Sequence, residues 1–124
     1  MATSVSTLVN SRKIKFKAWD TASRLLLRLD SIECNRGELY RQHHILLQFT
    51  GLLDMDDVEI YEADVLLIGY DQYVVTWSEA QSGWYYAPLR KPAQQQIFVS
   101  AVARQMKRFC SYFELQRDEP AGNP

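Results

Sequence analysis

At 124 residues, with 47% hydrophobic and 23% charged residues, the chain has the composition of one ordinary globular domain. Its formal net charge of -1 from 14 basic and 15 acidic residues excludes a strongly basic, nucleic-acid-type balance. No run approaches the ~20 apolar residues that span a bilayer, and no leader-like apolar stretch opens the chain, so a cytoplasmic protein is expected.

Residues 1–11, small and polar without a clear period, are expected to form a flexible arm. From Arg12 to Asp20 the pattern alternates, with Ile14, Phe16 and Ala18 on one face and Lys13, Lys15 and Lys17 on the other, which predicts a half-buried strand. After a turn at Asp20-Thr21, the leucine-rich run Arg24–Ile32 predicts the second arm of a hairpin, and Asn35-Arg36-Gly37 signals another turn. His44–Phe49, Val58–Tyr61, Val65–Ile68, Tyr73–Trp77 and Trp84–Tyr86 are apolar, β-branched or aromatic runs separated by turn residues, and each predicts a strand. Beyond Pro92, Phe98, Val102, Met106 and Phe109 recur at helical spacing and predict one helix over 93–106. A last strand is expected near Arg108–Gln116, and 119–124 reads as a flexible tail. The domain is thus expected over 12–118.

Charge is segregated along this order. From Gln42 to Leu89 there is no Lys or Arg, while Asp54, Asp56, Asp57, Glu59, Glu62, Asp64, Asp71 and Glu79 all fall there. Basic groups lie before it and at Arg104–Arg108. Interleaving of the two signs on one solvated surface is the expected outcome, ahead of a functional patch on either.

Three motifs in order resemble the phage-encoded YopX family: KFKAWD at Lys15–Asp20, LLQFTGLLD at Leu46–Asp54 and EIYEADVL at Glu59–Leu66. With the Val74–Trp77 strand they cover roughly residues 13 to 87. The resemblance implies a small SH3-like barrel; with the N-terminal hairpin and the one C-terminal helix read from the residue pattern, the expected fold is mainly β, a β-rich α+β. The resemblance also makes Trp19, Asp20, Thr50, Gly51, Glu62 and Asp64 framework residues, and it implies a phage or prophage protein of undefined activity in a bacterial host. Ala63 stands where the family has glycine, Met55-Asp56-Asp57 replaces an Asn-Gly type turn, Phe109–Asp118 matches the closing strand only loosely, and the helix before it resembles an insertion.

The residues offer no catalytic constellation, so an enzyme is not expected and no cofactor is implied. Cys34 and Cys110 form no CxxC pair, and two reduced thiols are expected. Asp54, Asp56, Asp57 and Glu59 lack the glycine and ligand periodicity of a calcium loop, and His43 and His44 should point to opposite faces, one buried and one exposed, so no metal is expected. Glu62 and Asp64, two apart, are better explained as framework, Asp64 accepting turn amides, than as an acid/base pair. Because consecutive strand residues cannot all face inward, at least one of Trp84, Tyr85 and Tyr86 should be exposed as a partner surface. The favoured function is a non-catalytic protein-binding module, its partner a host factor or its own copies. The alternative is nucleic-acid binding through Lys15, Lys17, Lys107 and Arg108.

Overall fold

The computed structural model describes residues 4–8 and 12–119; the remainder of the expected arm and residues 120–124 of the tail lie outside the described residues. The arm is not featureless where described, since Val5–Leu8 forms one helical turn, α1. The strands are β1 (Phe16–Asp20), β2 (Leu25–Arg28), β3 (Glu33–Asn35), β4 (Glu38–Tyr40), β5 (His44–Leu53), β6 (Glu59–Tyr61), β7 (Asp64–Ile68), β8 (Asp71–Ser78), β9 (Gly83–Pro88), β10 (Gln96–Ile97) and β11 (Lys107–Ser111). Two further short helices, α2 (Ser100–Ala103) and α3 (Tyr112–Arg117), flank β11. The protein is mainly β, as the sequence predicts.

Among the described residues the strands form an antiparallel sheet of order β2-β1-β5-β6, a second of order β10-β9-β8-β7-β11, and the small β3-β4 hairpin. That hairpin turns at Arg36 (φ 52°) and Gly37 (φ 84°), two consecutive left-handed residues whose twist matches that of the paired strands. The Glu62-Ala63 turn joins β6 to β7 and carries one sheet into the other, giving a curled half-barrel.

Two cores hold it together. Ile60, Leu66, Val75, Phe98, Ala103 and Met106 form the first, and Trp19, Leu47 and Ala63 the second, which Leu26, Tyr112 and Phe113 close. Each of the larger apolar side chains so buried contributes on the order of 2 kcal/mol. β1 is therefore covered on both faces: Ala18 is fully buried on the expected face, but Trp19 is buried on the lysine face, while Ile14, placed inward by the alternation, is exposed ahead of the strand.

The predicted helix over 93–106 is corrected. Phe98, Val102 and Met106 do reach one core, but from three backbones: the end of an edge strand, one helical turn and a connector. Pairing wins in this stretch because Gln96 and Ile97 find Tyr86 and Tyr85 in register, and the Phe98 N–H donates to the Trp84 carbonyl at 2.9 Å. Phe109 is exposed on β11, not on a shared helical face. The predicted last strand over 108–116 is also shorter than expected. It ends at Ser111, whose hydroxyl accepts from the Phe113 N–H while Glu114 accepts from the Ser111 N–H, a capping box that starts α3.

Candidate functional site

The motif residues turn out to be joints of the framework. Asp20 accepts hydrogen bonds from the amides of Ala22 (2.9 Å) and Ser23 (3.2 Å) and so folds the β1–β2 turn, in which Arg24 is left-handed. Thr50 donates its hydroxyl to the Ile60 carbonyl at 2.8 Å and accepts from the Leu52 amide at 3.1 Å. These two bonds bracket Gly51, at φ 85°, where the β5–β6 register shifts and β5 bends. Trp19 stacks on Phe113 with ring centroids 5.6 Å apart. The amide of Glu62 donates to the Gln48 carbonyl, and burial raises the pKa of its carboxyl.

Asp64 is nearly inaccessible, accepts from the Tyr61 amide at 2.8 Å and receives the Arg108 guanidinium at 3.2 Å on each oxygen. Burial raises its pKa against the pull of Arg108. It is separated in role from Glu62 and meets a cation, so the pair forms no acid/base couple. Asp54, read above as part of an acidic turn, is instead buried. Its carboxylate accepts from the amides of Asp56 (2.7 Å), Val58 (2.9 Å) and Arg108 (2.8 Å). His43 is exposed and left-handed at φ 63°, while His44 is half-buried with its ring N–H donated to the Gln42 carbonyl at 2.7 Å. Cys34 is exposed and Cys110 half-buried, both as free thiols.

The two signs of charge interleave. Lys15 holds Glu59 at 2.7 Å, Arg104 pairs with Asp57, and Arg108 reaches Asp64 and, at 3.8 Å, Glu114. Of the four cations proposed for phosphates, Lys15 and Arg108 are thus engaged by carboxylates. Lys17 is half-buried with its ammonium 4.5 Å over the Tyr61 ring, and Lys107 is exposed. Burial and then the neighbouring Arg108 lower the Lys17 pKa. Tyr61 donates to Glu59 at 3.2 Å, and burial together with that carboxylate pushes its phenol up to about 12, keeping it protonated.

The three aromatic residues of β9 are placed differently from the expectation. Trp84 and Tyr86 pack against the first core, Tyr86 donating to the Gln96 side chain at 2.7 Å, and Tyr85 lies on the opposite face of β9. All three are half-buried, so none is fully exposed, because β8 and β10 pair on either side of β9 and the core takes two of the rings. The exposed member is Trp77, 45% accessible, which faces Trp84 across the β8–β9 register with ring centroids 5.1 Å apart at 78°. This pair walls a cleft of about 550 Å³ completed by Phe49, Gly51, Arg12 and Lys13, and none of its described lining residues is a carboxylate. Sequence reasoning missed Trp77 because strand alternation puts it on the core face; it is open only because it stands at the end of the sheet.

The curled antiparallel sheets and these joints define a small, mainly β scaffold with an aromatic cleft at one end. The chain belongs to the YopX family: the family model described as YopX protein matches residues 4–104. Among solved structures the chain is similar to protein EF1440 from Enterococcus faecalis, with a TM-score of 0.61 and 18% identity over 86% of this chain and 97% of that one. That likeness concerns the fold alone. No curated protein matches the chain.

Proposed function

We propose that this protein is a non-catalytic protein-binding module, a phage- or prophage-type accessory protein acting in the cytoplasm of a bacterial host, its curled sheets serving as an SH3-like scaffold. The observation that carries the reading is the Trp77–Trp84 pair. An exposed indole, fixed edge-on against a second one that is rooted in the core, is a rigid aromatic anchor, the kind of group that dominates protein interfaces. Arg12 and Lys13 border the same cleft, so the partner surface it suits is an apolar side chain flanked by carboxylates. An acidic patch of this chain facing a basic partner is a weaker basis, since Asp54 and Asp64 are buried and Asp57 and Glu59 are paired.

Selection of peptides on the intact protein tests this. Enrichment of acidic sequences around an apolar anchor, with binding that quenches tryptophan emission and weakens at least about tenfold in Trp77→Ala, supports it. Enrichment of no such sequence, or affinity unchanged in Trp77→Ala, overturns it. Nucleic acid recovered with the protein, and bound with a steep salt dependence, would favour Lys15, Lys17, Lys107 and Arg108 instead.

A further inference from the structure

Lys17 on β1 and Arg28 on β2 stand directly opposite each other in the antiparallel register. Like charges in that position repel. Both lie on the sheet face that also carries Trp19 and Leu26, so their side chains rise at the border of the second core. Arg108, Lys15, Arg104 and Arg117 each hold a carboxylate, but neither Lys17 nor Arg28 makes an ion pair among the described residues. Lys17 is half-buried with its ammonium 4.5 Å over the Tyr61 ring, and Arg28 across from it is exposed, so both cations are open to an anion arriving from solvent.

The space they border is a cleft of about 400 Å³ between β1, β2 and β6, walled by Phe16, Leu29, Val58 and Tyr61. Two carboxylates also line it. Glu59 is committed to Lys15 and to the Tyr61 hydroxyl, which leaves Asp30 as the one acid set against the two unpaired cations.

We propose that this cleft is an anion site that takes a single phosphate group, held by the Arg28 guanidinium and the Lys17 ammonium, with the organic body of a phosphomonoester against the apolar wall. The guanidinium offers a planar fork and the ammonium a point charge, which together match the several oxygens of a phosphate better than the two of a carboxylate. Asp30 at the same cleft repels a second negative group, so a run of phosphates is disfavoured and one phosphate fits. Burial and the neighbouring Arg108 lower the Lys17 pKa, and a bound anion would act against that shift.

The test is thermal unfolding of the full chain with inorganic phosphate or glycerol phosphate added, against chloride at equal ionic strength. Both phosphates are expected to raise Tm above the chloride control, glycerol phosphate more than inorganic phosphate. Arg28→Gln and Lys17→Met are each expected to weaken phosphate binding at least about tenfold, as loss of a charge-assisted hydrogen bond implies. Each is also expected to raise the Tm of the ligand-free protein, because the cross-strand repulsion is gone; a purely structural cation would lower it. A phosphate effect no larger than that of chloride, or one that survives in Arg28→Gln, overturns the proposal. So does an oligonucleotide that displaces inorganic phosphate more strongly than glycerol phosphate does.

Discussion

Ala63 carries the backbone of the turn that joins the two sheets, and it does so at φ 67°. A left-handed conformation costs an L-residue about 1–2 kcal/mol. It is held by its amide, which donates to the Val75 carbonyl at 2.7 Å, and by its carbonyl, which accepts from the Tyr112 amide at 2.7 Å. Its methyl is packed in the second core with Trp19 and Leu47. Glycine would relieve the strain but forfeit about 0.8 kcal/mol of methyl burial and free the unfolded chain by about 0.4–1 kcal/mol. The opposing terms nearly cancel, so Ala63→Gly should leave the urea midpoint almost unmoved. Ala63→Val, which puts a β-branched side chain at positive φ in a filled core, should cost about 2 kcal/mol or more. A valine variant as stable as the parent would mean that the turn re-forms with another geometry. At this scale much was legible: the turn at Asp20 and the amide-accepting role of Asp64 follow from residue type and motif, whereas Thr50-Gly51, read as the end of a strand, is a bend within β5, which runs on to Leu53. The partner of Asp64 did not follow, because nothing local points 44 residues ahead to Arg108.

The β5–β6 loop is tied to β11 by one buried carboxylate, and this tie makes the elements sensitive to acid. Burial opposes ionisation of Asp54, but the amides of Arg108, Val58 and Asp56 outweigh it and hold its pKa below the ordinary 3.8. A folded-state pKa depressed in this way contributes stability that is complete above the unfolded value and is lost as pH falls through the folded one. Asp64 titrates in the opposite sense, since burial raises it, and so does not add to this loss. Asp54→Asn should therefore lower Tm at neutral pH and show a shallower decline of Tm than the parent between about pH 4 and pH 2; the decline that remains belongs to groups such as Asp20 and Glu59, whose pKa values are also lowered. Equal declines in the two proteins would assign the acid sensitivity elsewhere. Strands were readable because β-branched and aromatic runs fall between turn residues. The stretch from Gln96 to Met106 was not, since the spacing of four and four from Phe98 through Val102 to Met106 fits a helix and fits equally well three separate approaches to one core. The Ser111–Glu114 spacing is a helix-start signal present in the sequence and passed over in favour of a strand.

The molecule as a whole is closed by residues far from the motifs that identify it. β11 pairs with β7, the Met55 amide donates to the Met106 carbonyl at 2.9 Å, and Arg108 serves both Asp54 and Asp64. Removing residues from Lys107 onward should leave Asp64 without its guanidinium, Asp54 without the Arg108 amide and the long edge of β7 bare. The expected result is loss of the cooperative unfolding transition by circular dichroism, while a truncated chain with the parent's midpoint would show that β11 is an accessory. Where the two cleft faces lie was beyond the sequence for the same reason: Trp77 and the Lys17–Arg28 pair are defined by which strand ends meet, and that is a property of the closed sheets. The long reach of these contacts also bears on how the chain is made. Asp54 waits 54 residues for the Arg108 amide, so a nascent chain that has not yet extended to β11 displays a stretch from Gln42 to Leu89 bearing only negative charge. Negative charge of one sign along strands whose edges are still unpaired disfavours edge-to-edge pairing between unfinished chains, and two of those carboxylates, Asp54 and Asp64, later lock the finished fold.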